Sequence, residues 1–167
     1  KQRRDHRRSL QRGRLRGRSA KITLIMNVKS QQTTLIILKP DAVQRGLTGT
    51  IINRFEAKGL KIVGAKLMII GTELAERHYA VHKGKPFYGG LMDFMTSGPT
   101  IPLVLEKANA VALLREVVGA TNPTVAEEGS IRRAFGTSVQ RNAVHASDSP
   151  ENAAIEVAFF FGKTAQN

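Results

Sequence analysis

Thr33-Thr34-Leu35-Ile36-Ile37-Leu38-Lys39-Pro40-Asp41 is the stretch whose reading decides the fold. Its β-rich apolar run does not alternate with polar residues, which is the pattern of a strand buried on both faces. Such a strand belongs in the middle of a sheet. Lys39 delivers a charge to the strand's end, and Pro40 stops the ladder there. A snorkelling lysine accounts for this as well as a fixed cation waiting for an anion.

Downstream, Thr48 to Lys58 reads as an amphipathic helix with Ile51, Ile52 and Phe55 inward and Gly59 as its stop. Lys61 to Ile70 reads as a second strand. Gly71-Thr72 is a turn and N-cap leading into a short helix through Tyr79 and His82. The Gly84-Lys85-Pro86 loop precedes another helix carrying Phe87, Tyr88, Leu91, Phe94 and Met95, which Ser97-Gly98-Pro99 breaks. Thr100 to Leu105 is a third strand, Ala108 to Val118 a helix ended by Gly119, and Thr121-Asn122-Pro123 a turn. Thr124 to Ser130 reads as a loop and Ile131 to Phe135 as a helical turn. Asn142 to His145 is the fourth strand. Ser149 caps the last helix, with Pro150 in its first turn, and a polar tail follows from Gly162. The βαββαβ-like order predicts one sheet with helices packed on it.

The last strand and helix carry the chemistry. His145 stands at the strand's end, and Glu156 interrupts an apolar helix face, where a carboxylate is costly unless something needs it. A neutral imidazole with one nitrogen held by a carboxylate keeps the other lone pair free and aimed, so the pair reads as an oriented nucleophile. A satisfied histidine at a strand end is the bland alternative. Candidate phosphate ligands accumulate around it: Lys39, Arg115, Thr121, Arg132 and Asn142. Together they supply charge, forked donors and neutral hydrogen bonds, as a polyphosphate requires. Phe87 and Leu91 could sandwich a flat ring, or could be core.

Composition excludes several classes. The 167 residues suit one domain, and with no cysteine, disulfides and thiolate metal sites are out. The four histidines (His6, His78, His82, His145) are scattered, which predicts no histidine-built metal site. No apolar run is long enough to span a bilayer, so no membrane partner is expected. The net charge of +13 is unevenly spread: residues 1–26 carry ten Lys or Arg against one acid, residues 27–167 sixteen against twelve. The chain therefore divides into a basic extension (1–26), read as disordered, and a mildly basic domain (27–167). The extension fits a nucleic-acid arm, an organellar targeting remnant, or upstream sequence that is not native, with Met26 as initiator; the last is the preferred reading.

From about Gln32 to Gly162 the chain resembles the nucleoside diphosphate kinases of the bacterial type. The matching residues are Ile37-Leu38-Lys39-Pro40-Asp41, Arg54-Phe55-Glu56, Gly59-Leu60-Lys61-Ile62-Val63, His78-Tyr79, Lys85-Pro86-Phe87-Tyr88, Thr96-Ser97-Gly98-Pro99, Gly119 to Pro123, Ser130-Ile131-Arg132 and Asn142 to Ser149. The resemblance implies an α/β (α+β) fold, a ferredoxin-like βαββαβ sandwich whose four-stranded antiparallel sheet carries packed helices. It implies ping-pong transfer of a γ-phosphate from a nucleoside triphosphate such as ATP to a nucleoside diphosphate through a phosphohistidine. In that pattern His145 matches the nucleophile, Glu156 the orienting acid, Ser147 the hydroxyl beside it, and Tyr79 lies nearby. Lys39, Arg115, Thr121, Arg132 and Asn142 match phosphate and ribose ligands, and Phe87 and Leu91 the base clamp. Mg²⁺ would arrive on the nucleotide phosphates with no protein carboxylate cage. A homo-oligomer (tetramer or hexamer) and a cytoplasmic setting are implied too, or an organellar one if residues 1–26 target the chain.

Three residues depart from the family's pattern: Ala146 stands where glycine is usual, and Arg133-Ala134 where a small residue and an aspartate are usual. The rival reading is a nucleic-acid-binding or regulatory scaffold that uses the basic arm.

Overall fold

The computed structural model describes residues 31–162. The basic extension and the last residues of the polar tail, whose readings are given above, lie outside them.

Strand β1 (Gln31–Leu38) is buried from Thr34 onward. It leads through Lys39 into a one-turn helix α1 (Pro40–Gln44), then α2 (Thr48–Ala57), β2 (Lys61–Ala65), β3 (Met68–Ile69) and α3 (Thr72–His78). A 3₁₀ turn (Ala80–His82), α4 (Tyr88–Met95), β4 (Pro99–Ala108) and α5 (Ala110–Val118) follow. A second 3₁₀ turn (Pro123–Val125), α6 (Ile131–Phe135), β5 (Val144–Ala146) and α7 (Pro150–Phe161) complete the domain. The sheet runs β2-β4-β1-β5, with β3 also on β4, so β1 is internal as its apolar run predicts. β5 pairs antiparallel with β1, and β2 and β3 pair antiparallel with β4.

Because side chains alternate across a strand, β1 feeds two cores. Ile36 and Leu38 join Ile51 and Phe55 of α2, Leu114 and Val118 of α5, and Val144 and Ala146 of β5. Leu35 and Ile37 join Ala75 of α3, Phe94 and Met95 of α4, and Val157 and Phe160 of α7. Helices thus cover both faces.

Several elements differ from the sequence reading. The expected Lys61–Ile70 strand is broken between β2 and β3. Its partner β4 carries Pro102 between the two pairings, where the N–H a continuous ladder needs is missing, and β2 itself bulges between Ile62 and Gly64. Gly71 rather than Thr72 occupies the N-cap of α3, and that helix stops at His78. β4 runs on to Ala108, so α5 starts later than expected, at Ala110 after Asn109 with φ 54°. The segment read as a loop from Thr124 contains part of a 3₁₀ turn. The last strand begins at Val144, because Ala143 has φ 69° and cannot extend it. Ser149 caps α7 by accepting from the Asn152 N–H at 3.1 Å, with Pro150 at its start, as read.

Candidate active site

The C-terminal end of β1 and the start of β5 create the site. Ile37 lies opposite His145 and Leu38 opposite Val144. His145 therefore points to the face that Ile37 shares with Tyr79 and Phe160, while its neighbours Val144 and Ala146 pack in the other core. Just before β5, the Val144 N–H bonds to the Asn142 carbonyl at 2.8 Å around the positive φ of Ala143, a γ-turn of the rarer, strained hand. Two outside bonds hold that turn: Lys39 N–H to the Ala143 carbonyl at 2.9 Å, and Ala143 N–H to Asp41 Oδ2 at 3.0 Å.

His145 Nε2 lies 3.1 Å from Glu156 Oε2. A carboxylate only accepts, so Nε2 carries the proton and Nδ1 the lone pair. Ser147 Oγ donates to the same Oε2 at 2.5 Å. Burial pushes the Glu156 carboxyl up, but the His145 hydrogen bond and charge and the Ser147 hydroxyl outweigh it and hold the group below its ordinary value. No hydrogen bond engages Nδ1 among the described residues. The Tyr79 ring meets that of His145 edge-on at 6.0 Å, and burial, with the Glu156 charge, pushes its phenol up.

Lys39 is 5% exposed and donates through Nζ to the Gln140 carbonyl at 2.6 Å and Asn142 Oδ1 at 2.9 Å. An ammonium has three donors, so one remains. Burial lowers its pKa to about 8, with Asp41 opposing and Arg132 assisting. Asn142 Nδ2 in turn donates to the Thr121 carbonyl at 2.9 Å, which brings Thr121 to the same network. Arg132, in the first turn of α6, donates to the Gly119 and Val144 carbonyls, each at 3.0 Å, and its Nε has no partner. Burial and the nearby Arg115 charge lower it to about 10, so it stays a cation. Arg115 is exposed on α5 and lines a surface groove with Arg54, Lys58 and Gly119. It touches Arg132 only through its charge.

The two clamp candidates differ. Phe87 is 53% exposed, its ring edge-on to His82 at 5.5 Å and under Lys85 Nζ at 5.8 Å. Leu91 is half-buried against the core that contains Phe94. A chain of rings links Phe87 to His145: Phe87 to His82, His82 stacked on Tyr79 at 6.3 Å, and Tyr79 to His145.

The sequence reading missed four neighbours. Asp41 braces the γ-turn, Gln140 accepts from Lys39, and the Phe94 ring sits 5.3 Å from Lys39 Nζ and 5.2 Å from the Arg141 guanidinium. The fourth corrects an expectation: His78 lies with its ring centroid 4.5 Å from that of His145, so the histidines are not all scattered. Nothing in a spacing of 67 residues announces that contact.

The sequence profile of the family described as nucleoside diphosphate kinase matches residues 32–165, most of the chain. The chain belongs to the nucleoside diphosphate kinase family. Membership makes it a nucleotide-binding phosphotransferase. It is 56% identical over 130 residues to a nucleoside diphosphate kinase of Carboxydothermus hydrogenoformans, covering 78% of this chain and 87% of that protein. To that of Archaeoglobus fulgidus it is 52% identical, covering 78% and 86%. Its structure resembles the nucleoside diphosphate kinase of Encephalitozoon cuniculi (TM-score 0.79, 38% identity, 81% and 92% of the two chains). It also resembles the Halobacterium salinarum nucleoside diphosphate kinase solved in complex with CDP (TM-score 0.76, 45% identity, 78% and 88%).

Within this nucleoside diphosphate kinase fold the departures are accommodated. Ala146 is an ordinary strand residue opposite Ile36, where a side chain meets no backbone strain, and the positive φ falls on Ala143. Arg133 donates to Glu128 Oε1 at 2.9 Å and to the Thr124 carbonyl at 3.0 Å, a local tie in the place where the expected acid is missing. Its 40% exposure makes that tie worth little. Ala134 is exposed, so its small side chain leaves no gap in the core.

Proposed function

We propose that this protein transfers the γ-phosphate of a nucleoside triphosphate such as ATP to a nucleoside diphosphate by a ping-pong route through phospho-His145. His145 Nδ1 attacks the γ-phosphorus; the N–P bond forms as the bond to the bridging β,γ-oxygen breaks, and the nucleoside diphosphate leaves. A second nucleoside diphosphate takes the phosphoryl group back off Nδ1. The observation that carries this reading is the Nε2–Oε2 contact at 3.1 Å, which fixes the tautomer. Glu156 then balances the positive charge of the phosphorylated ring, and Ser147 holds Glu156.

Phosphoryl transfer asks for positioning and neutralisation more than covalent chemistry. Lys39 offers its remaining N–H and Arg132 its free guanidinium hydrogens to the phosphates, while Asn142 and Thr121, tied to Lys39 by hydrogen bonds, and Arg115, whose charge acts on Arg132, complete the ligand set. Tyr79 supports the ring of His145. Phe87 stacks the base and Leu91 backs it; stacking reads no base edge, which fits a broad choice of nucleotides. The only three-residue group of metal-ligand type among the described residues contains two histidines, a poor set for Mg²⁺. Mg²⁺ would arrive with the nucleotide and would supply neutralisation of its phosphate charge beside Lys39 and Arg132. In the cytoplasm such an enzyme keeps the CTP, GTP and UTP pools supplied.

A homo-oligomer is part of the same reading. β2 is a free sheet edge, and Val63, Leu67 and Ile69 on β2 and the adjoining segment are 44%, 72% and 66% exposed. No helix among the described residues is long and apolar enough to cross a membrane.

Labelling with γ-labelled ATP and Mg²⁺ tests the mechanism. The chain should acquire acid-labile, base-stable phosphate that chases onto added nucleoside diphosphate, and His145→Asn should acquire none. Equal labelling of that variant would remove His145 from the nucleophile's role.

A further inference from the structure

His78, the last residue of α3, has no part in the chemistry just described. It is 8% exposed, and neither ring nitrogen has a hydrogen-bond partner among the described residues. A neutral imidazole owns one N–H and one lone pair, and a buried pair left unmade calls for a ligand or a cost. The ring is packed edge-on against His145 at 4.5 Å and Phe160 at 5.2 Å. One nitrogen of His78, one of His145 and a carboxylate oxygen of Glu156 all lie within 4.8 Å of one another.

Two imidazoles and a carboxylate are the donor set of a three-ligand zinc site whose fourth position stays open. With ligands about 2.1 Å from the ion, a tetrahedron separates its donors by about 3.4 Å. The Nε2–Oε2 pair at 3.1 Å is close to such an edge. His78 needs to approach by no more than about 1.4 Å to close the site. Ser147, bonded to Glu156 Oε2, supplies the outer hydrogen bond that orients a ligating carboxylate. The set selects a borderline-soft cation over Mg²⁺, which prefers oxygen and octahedral geometry.

We propose that His78, His145 Nε2 and Glu156 form an inhibitory site for a divalent cation of the zinc class, and that its occupation stops phosphoryl transfer by reversing the tautomer of His145. The cation takes the Nε2 lone pair; the Nε2 proton leaves to solvent and another is taken up at Nδ1, with no net change. Nδ1 then has no lone pair to offer phosphorus. The control of transfer rests on the kinase reading of His145, but the binding of metal does not.

The full chain, stripped with a chelator, is titrated with Co²⁺ as a spectroscopic probe and then with Zn²⁺. One Co²⁺ per chain should give the intense visible bands of tetrahedral coordination, which Zn²⁺ displaces. Zn²⁺ added to excess Mg²⁺ and ATP should cut phosphoenzyme formation at least tenfold, reversibly by chelator. His78→Phe should bind at least tenfold more weakly and form phosphoenzyme without sensitivity to Zn²⁺; if its circular dichroism shows it unfolded, His78→Gln is read the same way. Absence of tetrahedral bands in the parent, or a variant that binds Co²⁺ as the parent does, overturns the site. Tetrahedral bands in a parent that forms no phosphoenzyme with Mg²⁺ alone uphold the site and sink the kinase reading instead.

Discussion

Lys39 shows how one residue can be read halfway. Its place after an apolar strand announced a cation at the sheet's end, but its partners on Gln140 and Asn142 come from a hundred residues away. Burial that lowers it to about 8 has two consequences of opposite sign. The cation is lost as pH rises through about 8, so kcat/KM for nucleotide should fall on the alkaline side. The unfolded chain keeps its lysine protonated up to the ordinary lysine value of 10.5, so between those values it binds more protons than the folded chain. This contribution to stability therefore rises with pH across that window. A pH–rate profile beside urea melts at matching pH values checks both, and Lys39→Met should abolish the stability slope. Lys39→Ala should lower kcat/KM by a few kcal/mol of lost charge stabilisation. Unchanged kinetics would remove Lys39 from the phosphate site.

At the scale of elements, the turn after α5 decides where Arg132 points. Gly119 has φ 82°, and a Cβ there would overlap Ser130 Oγ, whose side chain caps α6. The Gly119 carbonyl also accepts from Arg132. Gly119→Ala should cost about 1–3 kcal/mol in urea denaturation and raise KM for nucleotide, because α6 and its arginine must shift together. A variant with normal stability and normal KM would show that the turn tolerates a side chain. Helix and strand identities were legible from apolar spacing, whereas breaks were not. The division of β2 from β3 depends on a proline in the partner strand, and the late start of β5 on a γ-turn held by Asp41.

At the scale of the whole molecule, the sequence reading assigns the charge of residues 1–26 to an arm separate from the chemistry. The proposed oligomer uses the β2 edge of the domain, whereas the rival nucleic-acid reading uses the extension. Deleting residues 1–25 should therefore leave the number of subunits and phosphotransfer as they were and remove any steeply salt-dependent binding to DNA or RNA. A native mass near 18.3 kDa for the parent would contradict the oligomer. Loss of phosphotransfer on deletion would contradict the division into arm and domain.

The amino-acid order alone determined the central strand, the succession of elements, the cap of the last helix and the family, because local periodicity and motif spacing are properties of neighbouring residues. It also named His145, Glu156, Lys39 and Arg132 as residues worth bringing together. Tertiary structure alone decided that His145 faces Glu156 through Nε2, that Ala143 rather than Ala146 takes the positive φ, and that His78 stands beside His145. Those are contacts between residues from distant parts of the chain, set by which face of the sheet a side chain leaves and which helix closes over it, and no local pattern encodes them.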